Sequence, residues 1–180
     1  GAGMLPTTLH LGRILAGGEY GFLVNIGVCT AFEAPPVPGD LVLVTEDRVY
    51  GLGAEGTDGF LTLREIGLAK SGEPEDGFFF TREELIPASL SQLRRVKGIT
   101  VNTIHGWPSS INKALALTGA RVESMEGAAC MYAAAYYGIE ALQLRVVAGM
   151  VGPRDPGTMT LDESLAALHA LLPKALKELR

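Results

Sequence analysis

The chain has 180 residues, enough for one full hydrophobic core and within the usual size of one domain. With 47% hydrophobic residues, 23 glycines and only 19% charged residues, it has the composition of a tightly packed α/β protein, which excludes a disordered chain. The net charge of -5 lacks the basic footprint of a nucleic-acid binder, so a small-molecule ligand is expected.

Thr7 to Ala16 carries apolar residues at Leu9, Leu11, Ile14 and Leu15, an amphipathic helix pattern that stops at Gly17-Gly18. Gly21 to Gly27 is an almost continuous apolar run bounded by glycines, as expected for a strand buried on both faces. A turn cluster at Pro35, Pro36, Pro38 and Gly39 leads into a second buried strand from Asp40 to Thr45. Gly51 to Arg95 is less patterned and reads as excursion loops with a short helix near Leu61 to Leu68. The Phe78-Phe79-Phe80 run within it is a candidate subunit contact patch.

Order resumes with a strand at Val96 to Val101, a helix after Pro108, a short strand at Arg121 to Glu123 and a helix from Met125 to Tyr137. A strand at Ala141 to Ala148 and a helix from Leu161 to Leu179 complete the series. This alternation predicts an α/β layered fold. Cys29 and Cys130 are too few and too far apart for a disulfide framework or a zinc site, and each reads as a small buried apolar side chain. No charged start precedes an apolar run, and no apolar stretch approaches the roughly 20 residues that span a bilayer. A cytoplasmic protein with no membrane partner is expected.

The most informative stretch runs from Arg121 to Tyr132, where Glu126 stands between a strand and a helix of small apolar residues. From position alone Glu126 reads either as a capping or ion-paired carboxylate or as an acid that accepts hydroxyl protons from a sugar. Glu123 to Ala129, Gly98 to Gly106 and the opening Gly1-Ala-Gly-Met4 together resemble the nucleoside phosphorylase and methylthioadenosine nucleosidase superfamily. Within it, the likeness is to the futalosine hydrolases of menaquinone biosynthesis.

That resemblance implies a three-layer α/β/α fold of the purine nucleoside phosphorylase type, with a mixed, mostly parallel central sheet. It implies cleavage of the ribosyl N-glycosidic bond of futalosine or a related purine nucleoside by a homo-oligomer. Such hydrolysis needs only acid, base and electrostatic stabilisation, so no cofactor and no metal are expected. By residue match, Glu126 binds ribose hydroxyls, Met125 lies against the sugar, and Val101, Asn102 and Thr103 pass near the purine. Ordinary core packing is the alternative for Met125, and a surface place at a strand end is the alternative for Asn102. Ser124, Gly27, Val28 and Gly149 complete the expected substrate-binding set. In open α/β sheets ligands bind beyond the carboxyl ends of the strands, and these residues fall at the expected ends of four strands. Gly1 to Gly3 has the spacing of an anion-binding turn, and His105 and Trp107 are candidates to cover the pocket mouth, with structural roles the alternative for each.

Three departures from the family pattern stand out. Its members place strands and a helix before the Gly-x-Gly-Met segment and draw the water-activating acid from them. The reading is therefore of one nucleosidase-like domain over residues 1–180, shortened at its N-terminus and lacking that acid. Where the family has Ser-Asp or Ser-Asn after the Arg145 pattern, to serve the purine N7, this chain has Gly149, with Arg154 and Asp155 as nearby substitutes. Thr30 stands where glycine is frequent. Two readings follow: an active futalosine hydrolase-like nucleosidase, or a catalytically impaired homologue acting as a nucleoside-binding or assembly protein. A phosphorylase would want a basic side chain in the pocket, which these strand ends do not offer.

Overall fold

The computed structural model describes residues 2–69, 77–153 and 161–175. In chain order the elements are α1 (Met4–Ala16), β1 (Phe22–Ala31), β2 (Leu41–Arg48), β3 (Gly53–Gly56), β4 (Gly59–Thr62) and β5 (Phe78–Phe80). They continue with β6 (Arg94–Thr100), α2 (Pro108–Thr118), β7 (Val122–Ser124), α3 (Gly127–Tyr136), β8 (Glu140–Met150) and α4 (Leu161–Ala175). The mixed α/β architecture expected from the sequence is present. The segment after Gly59 departs from expectation. Gly59–Thr62 pairs with Gly53–Gly56 as an antiparallel hairpin in place of a helix near Leu61 to Leu68. The Gly56-Thr57-Asp58-Gly59 turn between the two strands is short and glycine-flanked, and its register outweighs the local helical pattern.

The main sheet runs in the order β5-β2-β6-β7-β1-β8, and β2 also pairs with β8, so five strands close into a ring. The longest ladder, β1 with β8, is parallel, as are β2 with β6 and β6 with β7. The β1–β7 and β2–β8 seams are antiparallel. One apolar cluster takes Cys29 and Ala31 from β1, Val42 and Val44 from β2, Val96 from β6, Val122 from β7 and Val147 from β8. Side chains from all five members of a closed ring can meet only inside it. The outer face of β2 and β8 forms a second cluster of Leu43, Leu142 and Leu144 under Leu90.

Alternation along the strands carries this inward set beyond the apolar cluster, to Asn25 and Gly27 on β1, Thr100 on β6, and Gln143 and Arg145 on β8. On β2 the register shifts between Val44 and Glu46. That bulge turns Asp47 inward, 2% exposed, while Glu46 faces out and pairs with Lys97 Nζ at 2.9 Å. One half of the ring interior is therefore apolar and the other polar.

Helix α3 packs over the polar half, contacting strands β1, β2, β5, β6 and β8, with α1 against it. Seven of its residues are buried, all small apart from Met131, so it is covered on several sides. Phe79 belongs to this cluster and is 5% exposed, while Phe80 is 65% exposed. The expected exposed Phe78-Phe79-Phe80 patch is thus divided by strand alternation.

A Cβ placed on Gly127, the first residue of α3, would collide with the Asp47 carboxylate and the Gln143 amide. Gly→Ala in a helix ordinarily stabilises by about 0.5–1 kcal/mol. Here Gly127→Ala is expected to destabilise by about 1–3 kcal/mol, the cost of overpacking. A lower urea midpoint at unchanged slope would bear this out, and a raised midpoint would refute the close approach.

Candidate active site

The chain leaves β7 at Ser124, turns through Met125 and Glu126, and enters α3 at Gly127. Helix starts leave backbone N–H groups without intrahelical partners. Two of these are taken by neighbours: Gly127 N donates to Ser124 Oγ at 3.2 Å, and Ala128 N donates to Thr100 Oγ1 at 2.7 Å. Glu126 is the N-cap residue by position, yet its side chain makes no capping bond. Its carboxylate is turned elsewhere. Oε1 accepts from Gly3 N at 2.8 Å, and Oε2 lies 3.8 Å from Arg145 Nη1. The anion-binding expectation for Gly1 to Gly3 thus meets the chain's own carboxylate at Gly3, while Gly1 lies outside the described residues.

Arg145 is the basic group that the sequence reading did not place here. Its side chain is 2% exposed, against 25% for Glu126, so the guanidinium is interior and the carboxylate faces partly outward. Gly27 makes the space: a Cβ on it would collide with Arg145 Nη1. Nη1 also donates to Val28 O at 3.4 Å, and Nη2 donates to Gln143 Oε1 at 3.1 Å. Nε finds no hydrogen-bond partner among the described residues.

The polar half of the ring continues from Gln143. Its Oε1 also accepts from Asn25 Nδ2 at 3.2 Å, and its Nε2 donates to Asp47 Oδ2 at 2.7 Å. Thr100 Oγ1 approaches both Asp47 oxygens, at 3.0 and 3.1 Å, and donates there while accepting from Ala128 N. Burial pushes the Asp47 carboxyl up from 3.8 to about 6, against the lowering effects of Gln143, Arg145 and Thr100. Burial likewise pushes the Cys29 thiol to about 12 and the Cys130 thiol to about 11. Both cysteines are free and buried, in line with the small apolar role expected of them.

A second polar cluster lies on the outer side of β7. Glu123, fully buried, accepts from His105 N at 3.0 Å and lies 2.5 Å from His105 Nδ1. Thr30 Oγ1 donates to it at 3.3 Å. Burial raises the Glu123 carboxyl and the His105 bonds oppose the rise. His105 packs against Tyr50 and Phe32. Trp107, 77% exposed, sits at the head of α2.

The structure brings Glu126, Gly27 and Val28 together around Arg145. Ser124 is tied in through Gly127 N, and its carbonyl accepts from Val101 N at 2.9 Å. Met125 adjoins them, half-buried. Asn102 and Thr103 are exposed in the β6–α2 connection. Gly149 is opposite Thr30 in the β1–β8 ladder, beside the Glu123 cluster rather than at Arg145. Gly27 and Val28 lie within β1 and not at its end. Because β1 and β8 run opposite to β6 and β7, the four expected strand ends do not share one rim. Arg154 and Asp155 lie outside the described residues.

Among the described residues, clefts open on two parts of the surface. One, of about 400 Å³, runs between β2, the β3–β4 hairpin and α2, lined by Tyr50, Glu55, Phe60 and Lys113 among others. The other, of about 150 Å³, lies between α1 and α3 and is lined by Met4, Thr8, Ala128, Ala129 and Tyr132 among others. Neither is lined by Glu126. The smaller one lies nearer to the carboxylate in the chain, with Met4 next to Gly3 and Ala128 two residues from Glu126 in its lining, while neither cleft is lined by Arg145, Gln143, Asn25 or Asp47. Among the described residues no group of His, Cys, Asp and Glu is arranged to hold a metal ion, and no helix is long and apolar enough to cross a membrane.

No family model matches the chain. It is 34% identical over 165 residues to futalosine hydrolase of Streptomyces coelicolor, covering 86% of this chain and 64% of that protein. It is 30% identical over 181 residues to futalosine hydrolase of Acidothermus cellulolyticus, covering 94% of this chain and 73% of that protein. In three dimensions it is similar to futalosine hydrolase of Helicobacter pylori, with a TM-score of 0.81 at 14% identity over 98% of this chain and 76% of that one.

The Asp47 carboxyl sets a pH dependence of stability with a definite sign. Its native value of about 6 lies above its unfolded value of 3.8, so the folded chain binds that proton more tightly. The stabilisation is full below about pH 4 and is lost as pH rises through about 6. Relative to Asp47→Asn, the native chain should lose about 2 kcal/mol between pH 4 and pH 7. Paired urea titrations across that range read the difference, and a flat or rising difference would contradict the assignment.

Proposed function

Because this chain belongs to the futalosine hydrolase family, we propose that it is a purine nucleosidase that hydrolyses the ribosyl N-glycosidic bond of futalosine, with Glu126 as the sugar-binding acid. The observation that carries the reading is the orientation of that carboxylate. It stands at the head of a helix yet caps nothing, because Ser124 and Thr100 take the first amides of α3. It is held instead by Gly3 N on one oxygen and faced by Arg145 on the other, and it remains partly open.

Cleavage of an N-ribosyl bond develops positive charge on the sugar as the base departs. An enzyme gains most from groups that bind this state better than the substrate. An ionised carboxylate accepts protons from vicinal hydroxyls in hydrogen bonds that are strong because the acceptor is charged. Fixed beforehand by a backbone amide and a buried cation, it needs little reorganisation when the sugar becomes cationic. Met125, beside Glu126, supplies an apolar flank for the sugar in this reading. The ligand class is a purine nucleoside.

The test is direct. Futalosine incubated with the chain should release free purine base, followed by chromatography, and Glu126→Ala should lower kcat/KM by about a hundred- to a thousandfold. Glu126→Gln should fold normally and lose nearly as much, since the amide keeps the shape but loses the charge. Release unaffected by either substitution would remove Glu126 from the site. Binding of futalosine without release at any pH would leave only a nucleoside-binding homologue.

A further inference from the structure

Arg145 faces Glu126 only if its guanidinium is held in one orientation, and what holds it is a side chain that cannot itself choose which way to point. The Gln143 amide has a donor end and an acceptor end of nearly the same shape. Arg145 has only donors to offer, so the amide must present oxygen to it. That orientation is imposed from the other end, where Gln143 Nε2 donates to Asp47 Oδ2 at 2.7 Å. An ionised carboxylate accepts and cannot donate, so Asp47 fixes nitrogen toward β2 and oxygen toward Nη2 of Arg145, 3.1 Å away. Asn25 Nδ2 reads the same oxygen at 3.2 Å and reinforces the choice.

From this chain of contacts we infer that Asp47, acting through Gln143, is a positioning residue for Glu126: it orients Arg145, and Arg145 orients the carboxylate that grips the sugar. This rests on the nucleosidase reading for its effect on turnover, though not for its effect on Arg145. Asp47 makes no hydrogen bond to Arg145 or Glu126 among the described residues; it feels the Arg145 charge through space, and its directional hold on the guanidinium passes through the amide. Thr100 strengthens the arrangement from the opposite side. It donates to Asp47 while accepting from Ala128 N, so the same carboxylate is anchored to the first turn of α3, two residues from Glu126. Gly27 and Gly127 leave Arg145 and the Asp47–Gln143 pair no alternative filler, because any Cβ at either position would enter their space. Asp47, Gln143 and Arg145 are all buried, where a mis-set donor or acceptor carries its full desolvation cost.

Asp47→Asn retains shape but can donate toward Gln143, so the amide is free to turn. Gln143→Met removes the link and leaves Asp47 in place, which serves if the first variant folds poorly. Two readouts separate a positioning role from a structural one. The first is nuclear magnetic resonance of the Arg145 side chain in the unliganded protein, assigned by comparison with Arg145→Met. In the native chain its guanidinium N–H signals should be resolved and slow to exchange, and in both variants they should broaden or vanish while the backbone spectrum persists. The second is kcat/KM for futalosine. Asp47→Asn should lower it about tenfold in the native background and by less than about twofold in the Arg145→Met background, the signature of two residues acting through one path. Persistent Arg145 signals in both variants, or an undiminished effect of Asp47→Asn without Arg145, would overturn the inference. Loss of the signals in a protein that does not process futalosine in any form would uphold the positioning and discard the nucleosidase reading.

Discussion

A guanidinium with 2% exposure, lodged inside a ring of strands, is the constraint from which the rest of this site follows. An interior cation is strongly unfavourable unless it is paired and hydrogen-bonded. Arg145 meets that demand with Glu126, the Val28 carbonyl and the Gln143 amide, and Gln143 in turn draws in Asn25 and Asp47. One buried charge thus recruits groups from β1, β2, β8 and the head of α3. It also explains why Glu126 stands at a helix N-terminus without capping it.

The same interior sets stability against site geometry. Asp47 is easiest to bury when protonated, which is why its carboxyl is pushed up to about 6. The relay to Arg145 needs it ionised, so near neutral pH the fold carries the cost of a buried anion in exchange for a defined amide orientation. Sites that hold groups in unfavourable states commonly sacrifice stability in this way. The two glycines at the close approaches serve the same end. Gly27 admits the guanidinium and Gly127 admits the Asp47–Gln143 pair, so the polar half of the ring is packed around its hydrogen bonds.

Much of the architecture was legible because its signals are local. Apolar runs bounded by glycine marked β1, β2 and β8. The alanine-rich segment after Glu126 marked a helix buried on several sides, and α3 is one. The helix expected near Leu61 was displaced by a hairpin, whose register depends on pairing between Gly53–Gly56 and Gly59–Thr62 and not on local periodicity. The run from Phe78 to Phe80 is split because period-two alternation buries Phe79 and exposes Phe80. The expected strand ends lie on strands of opposite direction, because direction within a sheet is a tertiary property.

By itself, the sequence determined the α/β class, most of the elements and the place of one acid at the head of an apolar helix. Each depends on hydrophobic pattern and on residues adjacent along the chain. Tertiary structure decided the partners of that acid. Closure of β2 onto β8 made an interior, and a one-residue bulge after Val44 turned Asp47 into it where simple alternation would have placed Glu46. Asp47, Thr100 and the Gln143–Arg145 pair stand far apart in sequence, in segments whose patterns announce only buried strands. A bulge and a ring closure are set by pairing between strands, so the polar network they assemble could be read only once the chain had folded.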